Sequence, residues 1–232
     1  MFLGTRRVIV ARRDELLHEE STDGVEAGLE ALERWFTIPP RRSSVRLWLS
    51  GALCRVFVQE HVPGTRARDL QRIVEAEAPR RTGLAAHCVV WLEPRRGTQQ
   101  RTAAAIEAGV LKSIYSWHDR QRPRMKLRGV HPWWSEALAA VHTQEPDCSA
   151  LVIDDLESLT IFGGERDALN VAVSAAPVNG GPEAQSLRQR ALFGLGLDAA
   201  TVRTVTLLSV DSGAANATEV PFIALRAWVE QR

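Results

Sequence analysis

The amino-acid sequence predicts an α/β fold with mixed sheets and flanking helices, arranged as two successive halves. Stretches in which apolar and polar residues alternate are typical of strands, and longer stretches carry apolar residues at helical spacing. A strand meander comes first, helices alternating with strands follow, and this order starts again after residues 145–147. With 232 residues, of which 45% are hydrophobic, the chain is long enough to bury a sizeable core.

The first elements follow from their turn and capping residues. A hairpin is predicted over 2–12, with Gly4-Thr5 as its turn. Asp23, with Glu26 three residues later, is typical of a helix start. Apolar residues at helical spacing then continue this helix to Phe36.

The middle of the first half is predicted to continue with strands and a helix. The strands over 45–50 and 54–59 are predicted to pair through a turn near Ser50-Gly51. A helix over 66–78 follows, and Pro79 is predicted to end it because proline has no amide hydrogen.

The remainder of the first half alternates between strand and helix. Residues 87–93 are apolar on both faces, which predicts a strand central to a sheet. A long helix is predicted over 102–120 and a strand over 124–130. Pro132 then opens a helix over 133–142, because proline fits the first helical turn.

The second half is predicted to begin at residue 147, so the halves are residues 1–146 and 147–232. Its predicted elements are strands over 149–154, 157–162, 167–173 and 204–210, and a helix over 183–194. The first half holds 23 Lys+Arg against 17 Asp+Glu, a net charge of +6, and the second holds 6 against 11, a net charge of −5. The halves are expected either to attract each other or to face different partners.

Composition and motifs exclude several classes of protein. No apolar run approaches the roughly 20 residues of a membrane helix. The N-terminus lacks the apolar core and cleavage site of a signal peptide, so we expect a cytoplasmic chain. The three cysteines lack zinc-site spacing and are expected to be buried thiols. Neither lysine lies in GxxxxGK[ST], which excludes a Walker-type phosphate loop.

Two pairs of segments resemble the actin-like ATPase superfamily. VRLWLSGALCRVFVQE is followed by ARDLQRIVEAEA, and AAIEAGVLKSIYSW is followed by RMKLRGVHPWWSEALAAV. The resemblance spans roughly residues 5–175 and is greatest to the degenerate branch used by bacterial pilus and secretion machines. The members of this branch that the chain resembles are the cytoplasmic actin-like protein of type IV pilus assembly and the cytoplasmic domain of the type II secretion L protein. Because the chain ends at Arg232 without a membrane helix, the soluble pilus-type arrangement is the expected one.

The resemblance implies two ribonuclease-H-like halves that face each other across a cleft. Active members bind ATP there between two phosphate hairpins, each typically carrying Asp-x-Gly. Here the first hairpin has Gly4 without an aspartate, and the second has Asp154 and Asp155 without a glycine. Gly180-Gly181 lies immediately before a predicted helix, at a position where the resemblance would place the Gly-Gly turn of an adenosine pocket. The candidate residues of a degenerate nucleotide cleft are Asp154, Asp155, Gly180 and Gly181.

Catalysis is not expected at this cleft. Adjacent residues on a strand point to opposite faces, so Asp154 and Asp155 are not expected to enter one site. Glycine, which lets a backbone approach phosphates closely, is missing beside them. We therefore expect no cofactor and no metal, with ATP and magnesium as the alternative.

A basic strand and a tryptophan pair are the candidate partner-binding residues. Arg124, Lys126 and Arg128 share one face of the predicted strand. This face is expected to dock an acidic peptide or phosphates. The alternative is that it is a solvated face, or that its charges protect a sheet edge. Of Trp133 and Trp134, one ring is expected in the core and the other toward the surface or cleft, where Trp134 would contact a partner.

These observations lead to one expected function and two alternatives. We expect a non-catalytic scaffold of a pilus or secretion assembly platform, recruited to the inner membrane by docking a cytoplasmic segment of a membrane partner. The first alternative is an ATP-binding relative whose nucleotide state controls that docking. The second is a ribonuclease-H-like protein that processes nucleic acid, although no second strand-borne carboxylate supports it. Nucleic acid is not an expected partner, and a homodimer is possible.

Overall fold

Two mixed sheets form the framework of the computed structural model. The structure describes residues 1–12, 15–36, 43–60, 62, 64–85, 87–93, 100–144, 148–165, 168–175, 181–197 and 202–206. The strands in this part of the chain are β1 (Phe2–Leu3), β2 (Arg7–Arg12), β3 (Glu15–Ser21), β4 (Ser43–Leu49), β5 (Cys54–Glu60), β6 (Cys88–Leu92), β7 (Gln100–Glu107), β8 (Met125–Pro132), β9 (Ala150–Asp154), β10 (Leu159–Glu165), β11 (Ala168–Ala175) and β12 (Arg203–Thr206). The helices are α1 (Gly24–Phe36), α2 (Ala67–Thr82), α3 (Ala108–Gln121), α4 (Trp133–Gln144) and α5 (Gly181–Gly194).

The first sheet has five strands in the order β3-β2-β1-β4-β8. Strand β1 pairs antiparallel with β2 and parallel with β4, and β4 pairs parallel with β8. The hairpin predicted over 2–12 is confirmed, and its turn lies at one end of this sheet. Helix α1 begins where predicted and buries Leu29, Leu32 and Phe36 in the core.

The second sheet has seven strands in the order β12-β9-β10-β11-β5-β7-β6. The predicted meander of β9, β10 and β11 is confirmed, and β12 adds parallel to β9. Strand β11 pairs antiparallel with β5 at Val173 and Phe57. This sheet therefore contains strands from both sides of residue 146, and the predicted division of the chain there stays a prediction.

Aromatic side chains join the two sheets through α4. The Phe2 and Trp133 rings meet edge to face with centroids 6.5 Å apart. The Trp134 and Phe162 rings lie 5.7 Å apart. All four side chains are buried in one hydrophobic cluster that draws residues from both sheets. The hairpin turns near these rings are therefore held on one continuous core.

The predicted pairing of β4 with β5 is wrong. Both strands exist, but β4 pairs with β1 and β8 in the first sheet, whereas β5 pairs with β7 and β11 in the second. The turn at Ser50–Leu53 carries the chain from one sheet to the other, and the Leu53 and Cys54 amides both donate to the Ser50 carbonyl oxygen. Alternation alone predicts a strand but does not identify its neighbour.

Two further predictions are wrong around β6 and β7. Residues 102–107, expected as the start of the helix, belong to β7 between β5 and β6, and helix α3 begins only at Ala108. The alanines of β7 favour a helix by propensity, but their small side chains are buried in the sheet, and tertiary packing decides. Strand β6 ends the sheet order and is not central, and its Trp91 side chain is 40% exposed.

Helix α2 is longer than predicted. It passes through Pro79 and ends at Gly83, whose left-handed backbone lets its amide donate to the Pro79 carbonyl oxygen. The extra turn is retained because Ala78 and Thr82 are buried, and because the Arg55 guanidinium donates to the Thr82 carbonyl oxygen.

No helix in the described part of the chain combines the length and the apolar character that crossing a bilayer requires.

Candidate functional site

The β1–β2 turn and the β9–β10 turn meet where the two sheets approach each other. Glu157, in the β9–β10 turn, is 1% exposed and reaches across to the other turn. The Thr5 amide donates to Glu157 Oε2 at 2.6 Å, and the Arg6 amide donates to Oε1 at 2.8 Å. The Thr5 hydroxyl donates to Oε2 at 3.0 Å. One carboxylate of the second turn therefore binds the amides of the first.

Gly4 makes this close approach possible. A Cβ atom built at Gly4 would overlap the Glu157 carboxylate, so a larger residue there would expel it. The Gly4 amide donates to the Arg7 carbonyl oxygen at 2.9 Å and closes the turn on its other side. The glycine that the sequence analysis noted in the first hairpin thus faces a carboxylate of the same chain.

Asp155 makes a second connection between the sheets. It is buried, and its Oδ2 accepts hydrogen bonds from the Gly51 amide at 2.6 Å and from the Ser50 hydroxyl at 3.0 Å. Its Oδ1 accepts from the Ser158 amide at 2.7 Å and from the Glu157 amide at 3.1 Å, which holds its own turn together. Burial raises the pKa of Asp155 to about 6, although the Gly51 and Ser158 donors oppose that rise.

The two predicted aspartates bond to different groups. Asp154, half-buried, accepts the Leu156 amide at 2.8 Å through Oδ1, whereas Asp155 reaches the Ser50-Gly51 turn. Leu156 has a φ of 70°, in the left-handed region that favours glycine. The turn therefore keeps a glycine-type backbone although no glycine is present.

Glu157 is the residue that the sequence analysis missed. A signal was available, because Glu157 follows closely after Asp154 and Asp155 in a stretch that has no Lys or Arg between Arg128 and Arg166. A buried acid in such a stretch needs backbone or hydroxyl donors. Its partners cannot be identified from sequence, since Thr5 and Arg6 lie about 150 residues away.

The predicted adenosine turn lies only partly in the described residues. Gly181 is the first residue of α5, and Gly180 lies outside the described residues. The structure therefore brings Asp154 and Asp155 to the junction of the hairpins, and the role predicted for Gly180-Gly181 stays a prediction. No group of three or more His, Cys, Asp or Glu side chains that could hold a metal ion occurs in the described part of the chain.

The basic residues of the predicted strand lie on an exposed face of the first sheet. Lys126 pairs with Ser44 on β4, and the Arg128 guanidinium donates to the Ser44 hydroxyl at 2.6 Å. Arg46 is exposed two residues further along β4, on the same side as Ser44. Met125, the inward neighbour of Lys126, is buried. We call Arg46, Arg124, Lys126 and Arg128 the basic face.

Trp134 is buried rather than exposed. It is 5% exposed, and its indole Nε1 donates to the Cys54 carbonyl oxygen at 2.8 Å. Trp133 is also buried, so the expectation of a ring at the surface is wrong, and the alternative of a ring toward the cleft stays a prediction. The two rings contact different sheets, since Trp133 meets Phe2 of the first sheet and Trp134 meets Phe162 of the second.

Similarity to known proteins is found in structure and not in sequence. Neither a protein-family model nor a curated protein matches the chain. A Bacteroides thetaiotaomicron protein with an actin-like ATPase fold and unknown function has a TM-score of 0.54 at 11% identity, covering 99% of this chain and 87% of that one. The chain has an actin-like fold.

Two other solved structures with this fold come from secretion and pilus machines. The cytoplasmic domain of EpsL, an inner membrane component of the type II secretion system of Vibrio cholerae, has a TM-score of 0.58 at 13% identity, covering 100% of this chain and 95% of that one. The PilM–PilN type IV pilus biogenesis complex has a TM-score of 0.51 at 10% identity, covering 85% of this chain and 65% of that one. The resemblance predicted from sequence is confirmed, and at these identities it establishes the fold alone.

Proposed function

We propose that this actin-like protein is a non-catalytic scaffold of a pilus or secretion assembly platform, held at the inner face of the inner membrane by a membrane partner. The observation that carries the proposal is the occupation of the hairpin amides by the chain's own carboxylates. Glu157 binds the Thr5 and Arg6 amides, and Asp155 binds the Gly51 amide. The similarity to EpsL and to the PilM–PilN complex supports the cellular setting.

The carboxylates oppose nucleotide binding in two ways. Phosphate groups bind to clustered backbone amides, and the Thr5 and Arg6 amides already have an anionic ligand. A phosphate that approached would also meet the negative charge of Glu157. The two turns are instead joined by the Glu157 side chain of the same chain.

The basic face is the surface that we propose for docking. Its four cations come from adjacent strands and from the turn before β8, and all four are exposed. Lys126 and Arg128 lie on β8, the last strand in the order of the first sheet, beside Ser44 of β4. The matching partner is a cytoplasmic segment rich in Asp and Glu, because charge complementarity steers and orients such contacts.

Calorimetry of the wild-type protein with Mg-ATP tests the non-catalytic part of the proposal. We expect no heat of binding up to millimolar nucleotide and no release of phosphate over hours. Micromolar binding would instead support the alternative in which nucleotide state controls docking. The specific observation that favours this alternative is that the Thr5 and Arg6 amides converge on one anion, as they would on a phosphate.

Charge reversal on the basic face tests the docking part. Labelled cytoplasmic peptides of the inner-membrane proteins encoded beside this chain are titrated with wild type, with Lys126→Glu/Arg128→Glu, and with Arg68→Glu/Arg72→Glu as the control. The control reverses two exposed charges on α2 and leaves the basic face intact. We expect at least one peptide to lose tenfold or more in affinity with the first variant only. Equal losses with both variants would show that net charge, and not this face, is recognised.

A further inference from the structure

Strand β6 is the last strand of the second sheet in the described part of the chain, and its outer side pairs with no further strand there. We propose that β6 pairs with β6 of a second copy of this chain, antiparallel and centred on Val90, so that two seven-stranded sheets join into one. This inference goes beyond the scaffold function and does not depend on whether the basic face docks a partner.

The main chain of β6 points alternately toward β7 and away from it. The Glu93 amide donates to the Thr102 carbonyl oxygen at 2.9 Å. The Ala108 amide donates to the His87 carbonyl oxygen at the same distance. Since hydrogen-bonded residues alternate in an antiparallel pair, the odd-numbered residues of β6 bond to β7. The even-numbered residues therefore direct their amides and carbonyl oxygens to the outer side.

The Gln71 side chain already binds one of these outer groups. Its Nε2 donates to the Val90 carbonyl oxygen at 2.7 Å and to Glu75 Oε1 at 2.8 Å. A side-chain amide of α2 thus stands where the main-chain amide of a further strand would donate. In the proposed pair, the Val90 amide of the second copy takes this place.

The sequence of β6 lacks the features that protect the other end strands from pairing. Charged residues and prolines at a sheet edge discourage association. Each of the other end strands carries a charge, such as Glu19 on β3, Lys126 on β8 and Arg203 on β12. Strand β6, CVVWL, has neither a charged residue nor a proline. Its edge therefore suits an uncharged strand, and a second copy of β6 is one.

A centre at Val90 pairs all five residues of β6. Two copies related by a two-fold axis pair symmetrically about one residue. Val90 then faces its own copy and Cys88 faces Leu92, and the main-chain groups of all three point outward. A centre at Val89 or Trp91 would pair only three of the five residues.

The same register brings complementary side chains together. Val89 faces Trp91 of the second copy, and pairs of an aromatic and a β-branched residue stabilise antiparallel sheets. The two Trp91 residues become diagonal neighbours, about 7–8 Å apart, which is within reach of aromatic side chains. Trp91, 40% exposed in the single chain, is thereby covered. At the two ends, His87 faces Glu93, so no like charges oppose each other.

Sedimentation equilibrium of the whole chain, from micromolar to several hundred micromolar, measures the association. We expect a dimer for wild type and a dissociation constant raised tenfold or more by Trp91→Glu, because like charges then lie diagonally across the pair. Ile73→Glu is the control, since Ile73 is 39% exposed on α2 and lies on another side of that helix from Gln71. Gln71→Ala removes the competing donor and is expected to lower the dissociation constant. A wild type that stays monomeric, or equal weakening by Trp91→Glu and Ile73→Glu, would overturn the proposal.

A disulfide tests the register separately. Opposite Cα atoms in a hydrogen-bonded antiparallel pair lie about 5.5 Å apart, which a disulfide can span. Under oxidising conditions, Leu92→Cys is expected to crosslink to Cys88 of the second copy, and Cys88→Ser/Leu92→Cys is expected to lose the crosslink. A crosslink that survives in the double variant, or none where wild type is dimeric, would refute this pairing. The scaffold proposal would stand in either case, because it rests on the hairpin amides and the basic face.

Discussion

The contact between Glu157 and the first hairpin predicts a large loss of stability when the carboxylate is removed. The Glu157→Ala substitution leaves two amides and one hydroxyl without their present acceptor, at a site that is 1% exposed. Each donor left unsatisfied in a buried site costs about 1–3 kcal/mol. Relief from burying a charge offsets part of this sum. We therefore expect a net loss of about 2–4 kcal/mol in the free energy of unfolding.

Urea unfolding followed by tryptophan fluorescence measures this loss, because Trp117, Trp133 and Trp134 are buried and report on the core. For a chain of this size, the expected loss corresponds to a fall in melting temperature of roughly 5–15 °C. The Glu60→Ala variant, altered at an exposed position, is expected to remain within about 0.5 kcal/mol of wild type.

A double-mutant cycle with Thr5→Ala identifies the source of the loss. Thr5→Ala alone is expected to cost about 1 kcal/mol, since it removes the hydroxyl that donates to Glu157. In the Glu157→Ala background it is expected to cost close to nothing, because the bond no longer exists. The reasoning is refuted if Glu157→Ala unfolds within about 0.5 kcal/mol of wild type, or if the two substitutions simply add.

Three further outcomes follow from the same contacts. Since burial raises the pKa of Asp155 from 3.8 to about 6, the folded state holds this proton more tightly than the unfolded state. The contribution of Asp155 to stability is therefore greatest below pH 3.8, and it falls by about 3 kcal/mol as the pH rises through 6. In urea titrations, the stability of wild type relative to Asp155→Asn should fall by about this amount between pH 4 and 7. Trp134→Phe is expected to cost about 1–3 kcal/mol by removing the donor to Cys54, whereas Trp91→Phe, at a 40% exposed position, should cost less than about 1 kcal/mol in the same assay. Lys126→Glu/Arg128→Glu should leave the melting temperature within about 2 °C of wild type, and a larger fall would show that the basic face is structural.

Local sequence signals predict the helices and strands that have a distinct apolar pattern. Helix α1 has a capping pattern and an apolar stripe, and both match its start at Gly24 and its buried residues. Strand β9 and strand β10 are apolar runs on either side of an acidic turn. By contrast, β3 was missed because ELLHEES is polar. It lies at the end of the first sheet's order, and its Glu19 pairs with Arg7 on β2 at 2.9 Å.

The site was predictable only in part, because its two connections join residues far apart in the chain. The sequence places Asp154 and Asp155 in the second hairpin, and the structure shows the turn of that hairpin opposite Gly4. The role of Asp155 depends on the Ser50-Gly51 turn, about 100 residues away. The sequence predicts a hairpin turn between β4 and β5 at this position, so a bond from the Gly51 amide to Asp155 is not apparent from it. The error in strand pairing thus concealed the partner of the aspartate.

Glu157, more than the missing glycine, distinguishes this hairpin pair, because its carboxylate accepts the Thr5 and Arg6 amides. The absence of glycine after the two aspartates was interpreted as a barrier to close approach, yet Leu156 adopts a φ of 70° and the turn forms without it. The approach of the two hairpins is also close, since the Thr5 amide lies 2.6 Å from Glu157 Oε2. The backbone for binding an anion is therefore present, and a carboxylate from the same chain fills it. We therefore expect the identity of residue 157 to bear more directly on nucleotide binding by this chain than the Asp-x-Gly pattern does.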